Sequence, residues 1–273
     1  MITEFFTTIF GHATIGFFIG LAISMTGIGA GAIIQPVLIH VLGITPIQSV
    51  GTGLLYAMIT KIGGTISHFR LRTIRPRRSM FFLFGSVPAV LVSSWIINFL
   101  SKTVDSTRLN QNIQLSMAII LVAVGALILF QNIFLTDYIE KKKSLYPRGG
   151  PFPLRKKVIC IVSGIIIGLM IGGTSIGGGV LIVPVFLLFL DASAVETVGS
   201  SIVIALFLSA VGSIVYLAEG NVRLMTAFLL CIGSIPGVIV GSRLSVALPE
   251  RILRVILVAI VFLSGISLFF GRY

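Results

Sequence analysis

The chain has 273 residues, of which 56% are hydrophobic and only 10% charged, too few charges to clothe a water-facing domain, where about a quarter of residues are charged. Lys and Arg number 20 against 8 Asp and Glu, a formal net charge of +12. Because these bases fall between apolar stretches, they read as loop charges that orient membrane helices, not as a nucleic-acid-binding face.

The first ten residues, MITEFFTTIF, contain no basic n-region, and no small-residue cleavage site follows them. The first apolar stretch is therefore expected to remain in the mature protein. A spanning helix needs ~20 apolar residues. Runs of that length fall at 5–25, 47–66, 80–100, 113–134, 158–175, 195–217, 225–247 and 252–271. Two further runs, 30–42 and 179–190, are shorter. About a dozen helical residues reach ~18–20 Å, against a hydrocarbon core of ~30 Å, so these two cannot span alone. Each follows a glycine cluster, TGIGAG at 26–31 and TSIGGG at 174–179. Residues 135–157 form a basic linker rich in Pro and Gly. It is expected to be cytoplasmic and to separate a first transmembrane repeat (1–134) from a second (158–273). Cys160 and Cys231 lie in apolar stretches with no ligand spacing and are expected as buried thiols.

The two halves answer each other at an offset of 148 positions. Thr26-Gly27-Ile28-Gly29-Ala30-Gly31 meets Thr174-Ser175-Ile176-Gly177-Gly178-Gly179; Pro36-Val37 meets Pro184-Val185; Val50-Gly51-Thr52 meets Val198-Gly199-Ser200; Arg75 meets Arg223; Gly85-Ser86-Val87-Pro88 meets Gly233-Ser234-Ile235-Pro236. Such duplication is common in transporters, whose substrate sites lie between the repeats. If 5–42 and 153–190 are re-entrant hairpins, each half crosses the membrane three times, and an odd number inverts the second half relative to the first. If each is one long kinked span, the halves lie parallel. The distribution of Lys and Arg favours inversion slightly, with 67–78, 135–157 and 243–254 on the cytoplasmic side. The expected fold is all-α and polytopic, with two homologous repeats. Each holds a Gly-rich broken or re-entrant segment followed by three transmembrane helices.

Non-helical backbone at membrane depth is tolerated where it lines a cavity or lies inside protein. Glycine clusters at matched positions, each opening a short helix, therefore point to a central site. Helix N-termini expose free N–H groups and partial positive charge, which suit an anion. Close packing of small residues is the structural alternative. The helices that follow begin with polar residues: Gln48, Ser49 and Thr52, matched by Glu196, Thr197, Ser200 and Ser201. Gln48, Thr52 and Tyr56 share a face, as do Glu196 and Ser200. They could bond substrate oxygens, or simply begin helices capped by Thr45 and Ser193. Glu196 and Lys61 are ionisable groups near or within the apolar region and hence candidates for coupling to protons or for attracting an anion. Exposure at a helix end and snorkelling are the alternatives. Gly27, Gly29 and Gly31 do not make a dinucleotide fingerprint, and no Walker lysine follows. His12, His40 and His68 are scattered, and no serine has a nucleophile-elbow context. No metal, cofactor or enzymatic activity is expected.

GIGAGAIIQPVLIHVLGITPIQSVGTGL at 27–54 and GLMIGGTSIGGGVLIVP at 168–184 resemble the TauE/SafE family of sulfite exporters, and the resemblance extends over nearly the whole chain. It implies a multi-pass permease of the bacterial inner membrane for small, often sulfur-containing anions. On matching positions it implies substrate contacts from Gly27, Gly29, Gly31 and Gln35 in the first half and from Ser175, Gly177, Gly178 and Gly179 in the second. Val183 stands where the first half has Gln35, so any site is asymmetric. Together with Ser49, Thr52, Ser200 and Ser201, these residues make the expected substrate site of a secondary transporter working by alternating access. An anion channel, a permease for a non-sulfur anion and a membrane subunit of a larger complex are the alternatives. Neither the direction of transport nor the oligomeric state follows from the sequence.

Overall fold

In lipid a backbone N–H or C=O finds no water, so a spanning chain must bond to itself, and each apolar run forms a helix. The computed structural model describes residues 2–26, 29–70, 74–134, 153–179, 181–190, 194–247 and 250–271. In chain order these form α1 (Ile2–Thr26), α2 (Gly31–Pro36, prolonged by a π-helical turn over Val37–Val41), α3 (Pro46–Arg70), α4 (Pro76–Thr103), α5 (Ser106–Phe134), α6 (Leu154–Thr174), α7 (Ile182–Phe189), α8 (Ala194–Ala218), α9 (Leu224–Ala247) and α10 (Glu250–Phe270). The expected linker falls mostly outside the described residues, as does Gly27. Long, short, long, long, long is the order in both halves. Pro36 explains the π turn: without an N–H it breaks the α pattern, and Leu42 N then bonds Val37 O at 3.0 Å.

α4 shows the side-chain logic of a membrane helix. Ser79, Ser86, Ser93, Ser94 and Asn98 are buried, whereas Met80, Phe84, Leu91, Trp95 and Phe99 are exposed. Polar groups face the bundle and apolar groups face outward, the reverse of a soluble helix. Buried hydroxyls bond carbonyls of the preceding turn, as Ser86 Oγ does to Phe82 O at 2.9 Å. By length and composition α4, α6 and large parts of α5, α8 and α9 can cross a membrane. The chain is a multi-pass, all-helical membrane protein.

The halves interleave through glycines. On α1 and α9, Ala13, Phe17 and Leu21 lie against Gly233, Gly237 and Gly241, so these helices run parallel with backbones touching. α4 and α6 do the same, Phe82, Ser86 and Val90 lying against Gly164, Gly168 and Gly172. α3 and α8 run antiparallel, since Gly51, Leu54 and Gly64 meet Tyr216, Gly212 and Ile202 in reverse order. α5 and α10 are antiparallel as well, with Val122 beside Gly265 and Gly125 beside Phe262. Gln114 Nε2 of α5 also donates to Leu268 O at 3.0 Å. Such small-residue seams give helices in lipid the contact area that a hydrophobic effect between them does not supply.

A methyl group at Gly233 would collide with the Ala13 carbonyl, while nothing lies within 4 Å of one at Gly63. Gly233→Ala is expected to cost about 1–3 kcal/mol through overpacking and to lower the melting temperature of the detergent-purified protein. Gly63→Ala leaves it unchanged or slightly raised. Equal melting curves for the two variants would contradict the backbone contact.

Candidate functional site

α6 ends where Ser175 turns left-handed at φ 60°, with its N–H bonded to Ile171 O at 2.7 Å. Gly177 follows at φ +121°, a conformation that favours glycine. From there the chain passes the matching break of the first half in the opposite direction. Gly31 abuts the Ser175 carbonyl, and a Cβ on Gly29 would stand 2.9 Å from Gly179 N. Gly178 faces α8, where a Cβ would meet that of Ala205 at 3.1 Å. The two glycine clusters thus touch backbone to backbone. The structure brings Gly29, Gly31, Ser175, Gly177, Gly178 and Gly179 to one place between the halves.

Beside this crossing, Gln35 of α2 is fully buried. Its Nε2 donates to Ser49 O in the first turn of α3 at 3.2 Å, while its Oε1 has no partner. The Ser175 hydroxyl is buried and unpartnered too. The two side chains meet over Gly53: a Cβ there would be 2.5 Å from Gln35 Nε2 and 3.1 Å from Ser175 Oγ. Glycine at position 53 therefore leaves the room that the Gln35 amide nitrogen takes up beside the Ser175 hydroxyl. It was not among the sequence candidates, and the only trace in the sequence is that its counterpart at the 148 offset is Ser201.

The polar residues opening α3 and α8 act differently from expectation. Thr52 Oγ1 accepts from the backbone N–H of Arg223 at 3.0 Å, and Gln48 Oε1 accepts from Arg223 Nε at 3.1 Å. At the matching positions Ser200 Oγ accepts from Arg75 N at 3.0 Å, and Glu196 forms an ion pair with the Arg75 guanidinium. Arg75 and Arg223 each stand immediately before a helix, their carbonyls accepting its first bonds from Ser79 N and Ala227 N. Each arginine clamps a helix start of the other half. Because α3 and α8 are antiparallel, the two clamps lie at opposite ends of the bundle. Arg75 and Arg223 are matched in the sequence, and that match is the signal that could have singled them out.

Thr45 Oγ1 accepts from Gln48 N at 3.4 Å, a capping bond, and Asn110 Oδ1 of α5 takes Ile47 N at 3.1 Å. Ser49 Oγ donates to Pro46 O at 2.7 Å and Ser201 Oγ to Val198 O at 2.9 Å, so both hydroxyls are engaged within their helices. Lys61 lies half-buried in the second half of α3, with no hydrogen bond or ion pair among the described residues.

A family model described as Sulfite exporter TauE/SafE matches residues 12–268. Among curated proteins, the chain is 33% identical over 254 residues to the Probable membrane transporter protein YjnA of Bacillus subtilis (strain 168), covering 93% of this chain and 96% of the relative. It is 23% identical over 268 residues to the Probable membrane transporter protein YunE of the same organism, covering 90% and 93%. No solved structure matches.

Thr52→Ala and Ser200→Ala each leave an arginine N–H without its acceptor, and each is expected to cost about 1 kcal/mol. Since the clamps lie at opposite ends, the losses should add in the double variant within about 0.5 kcal/mol. Denaturation of the purified variants measures this; strong non-additivity would show that the two ends are not independent.

Proposed function

This chain belongs to the sulfite exporter TauE/SafE family, and from that premise we propose that it is a secondary transporter for small sulfur-containing anions such as sulfite or organosulfonates. Its substrate site lies where the two broken segments cross, and it works by alternating access between two inverted repeats. The observation that carries this reading is the crossing itself: two glycine-rich interruptions at matched positions, backbone against backbone, with unpartnered polar groups beside them. Irregular backbone at that depth belongs at a ligand site between repeats.

Inversion is supported by the contacts that recur at the 148 offset. Gly16 on Leu230 matches Gly164 on Phe82, Gly85 on Ile161 matches Gly233 on Ala13, and the bond from Arg75 N to the Ser200 hydroxyl matches that from Arg223 N to the Thr52 hydroxyl. Counterpart helices packed antiparallel, α3 with α8 and α5 with α10, fit an exchange axis in the membrane plane. The end where α3 finishes carries Arg70, Arg75, Arg77, Arg78 and the bases at 155–157, whereas the other end carries Lys102, Arg108 and Arg223. The richer end is the cytoplasmic one.

In this scheme the clamps are the gates. The Arg75–Glu196 clamp is an ion pair and cytoplasmic, whereas the Arg223–Gln48 clamp joins a guanidinium to an uncharged amide and faces outward. Opening one end separates an arginine from the helix start it holds. Glu196 is then a gate residue, and any coupling to protons would act through its release from Arg75. With no Walker motif in the sequence, an ion gradient or the anion's own gradient supplies the driving force.

Purified protein in proteoliposomes is expected to take up labelled sulfite saturably, with counterflow, and with competition by some of sulfate, thiosulfate and sulfonates. Conductance without counterflow would make it a channel. No flux of any sulfur anion by folded protein would move the substrate outside this class. Glu196→Gln removes the charge from the cytoplasmic clamp, weakening it by about 1–2 kcal/mol and shifting the inward–outward balance by roughly tenfold. Accessibility labelling of cysteines placed at each end reads that shift; an unchanged balance would remove Glu196 from the gate. Gly31→Ala, which forces the two crossing segments apart, is expected to abolish flux while the protein still reaches the membrane.

A further inference from the structure

We propose that the ligand bound at the crossing carries a hydrogen-bond donor: it is an anion with an O–H group, not a fully deprotonated oxyanion. This rests on the reading of the crossing as the substrate site and names the chemistry that site selects.

Orientation of the Gln35 amide carries the argument. An amide has one end that donates and one that accepts. In Gln35 the donating end is fixed, because Nε2 is bonded to the Ser49 carbonyl; turning the amide over would set its oxygen against another acceptor. The oxygen therefore points the other way, and it is an acceptor, fully buried and without a partner. Leaving such an atom unbonded in a dry interior is unfavourable, so a ligand that supplies a donor is favoured over an equal one that does not. Ser175 Oγ, which lies over Gly53 beside the nitrogen end of the same amide, is also free. A hydroxyl both donates and accepts, so it can donate to an anionic oxygen of the ligand whose own O–H is taken by Gln35.

The pair exists once. At the counterpart positions stand Val183 for Gln35, Gly27 for Ser175 and Ser201 for Gly53. The Gln35 and Ser175 contacts therefore define a single, off-axis orientation for the ligand. Sulfate at neutral pH has only acceptors and would set one of them against Gln35 Oε1. Hydrogen sulfite and a hydroxyl-bearing sulfonate both offer the required O–H.

The test uses the full-length purified protein and matched anions at one neutral pH. Isethionate and ethanesulfonate differ by one hydroxyl; sulfite, partly protonated, is compared with sulfate, fully deprotonated. Ligand-induced thermal stabilisation gives apparent affinities whether or not flux is found, and competition with labelled uptake gives them again in liposomes. The member of each pair with the O–H is expected to bind at least about tenfold more tightly. A preference within the sulfonate pair alone identifies the donor as an organic hydroxyl, and one within the inorganic pair alone identifies it as a protonated oxyanion. Gln35→Met is expected to erase the preference, and Ser175→Ala to weaken both members of a pair alike. Equal binding within both pairs by wild type overturns the proposal, and so does Gln35→Met protein that keeps the preference. Sodium-dependent binding that Gln35→Met abolishes, with anion preference unchanged, would assign the oxygen to a cation and overturn it as well. Absence of flux for every sulfur anion overturns the transport reading instead, and the stabilisation data still decide the donor rule.

Discussion

Everything else in this bundle depends on backbones touching across the halves. α1 lies on α9 and α4 lies on α6 with glycine on one helix at the carbonyls of the other. In lipid, association between helices comes from close packing and polar bonds, because the surrounding tails are as apolar as the side chains. The seams therefore set how the two halves meet. Once they are set, the segments at 29–31 and 175–179 have one place to go, the space left between them. The same smallness that makes the seams makes the crossing, where Gly29 and Gly31 lie against Gly179 and Ser175.

From that placement the chemistry follows by exclusion of water. Several hydroxyls along α4, α6 and α8, such as Ser86, Ser163 and Ser201, bond within their own helices and add little polarity to the interior. Groups that reach from one half to the other include Tyr56 to Ser234, Ser94 to the Gly172 carbonyl, Gln114 to the Leu268 carbonyl, Asn221 to Asn98 and the two arginine clamps. Each ties an element of one half to the other, so they fix how the halves sit on one another. Gln35 and Ser175 are exceptional in keeping an atom unpaired near the crossing, and polar groups left open in a dry interior are the natural points for a ligand to engage.

Much of the fold was legible in the sequence, because length and apolarity alone specify a spanning helix and the run boundaries came within a few residues of the helices. The breaks were legible through glycine and proline. What was hidden is what depends on contact across the halves. Thr52 and Ser200 read as ligand groups and Glu196 as a coupling group because a polar helix start in an apolar chain demands a partner, and the sequence does not show that the partner is an arginine 121 to 171 residues away. Arg75 and Arg223 read as loop charges because basic residues between spans usually are. Gly53 was passed over because it stands outside the glycine clusters; its meaning lies in Gln35 and Ser175, which approach it from two other segments.

The interleaving of α1 with α9 also bears on how the chain is made. α1 leaves the ribosome well ahead of its partner: the carbonyls of Leu230 and Ser234 that its Gly16 and Gly20 meet follow 214 residues later (230 − 16 and 234 − 20). At about 5–20 residues per second, the seam of α1 faces lipid or a chaperoning insertase for roughly ten seconds or more before its partner arrives. α1 thus keeps its seam open while α2 to α8 are made, and a ribosome that stalls before α9 leaves a membrane-embedded intermediate with that glycine face exposed. Quality control for such a chain has to read unpaired faces inside the bilayer, where the proteases that recognise unfolded soluble proteins do not look.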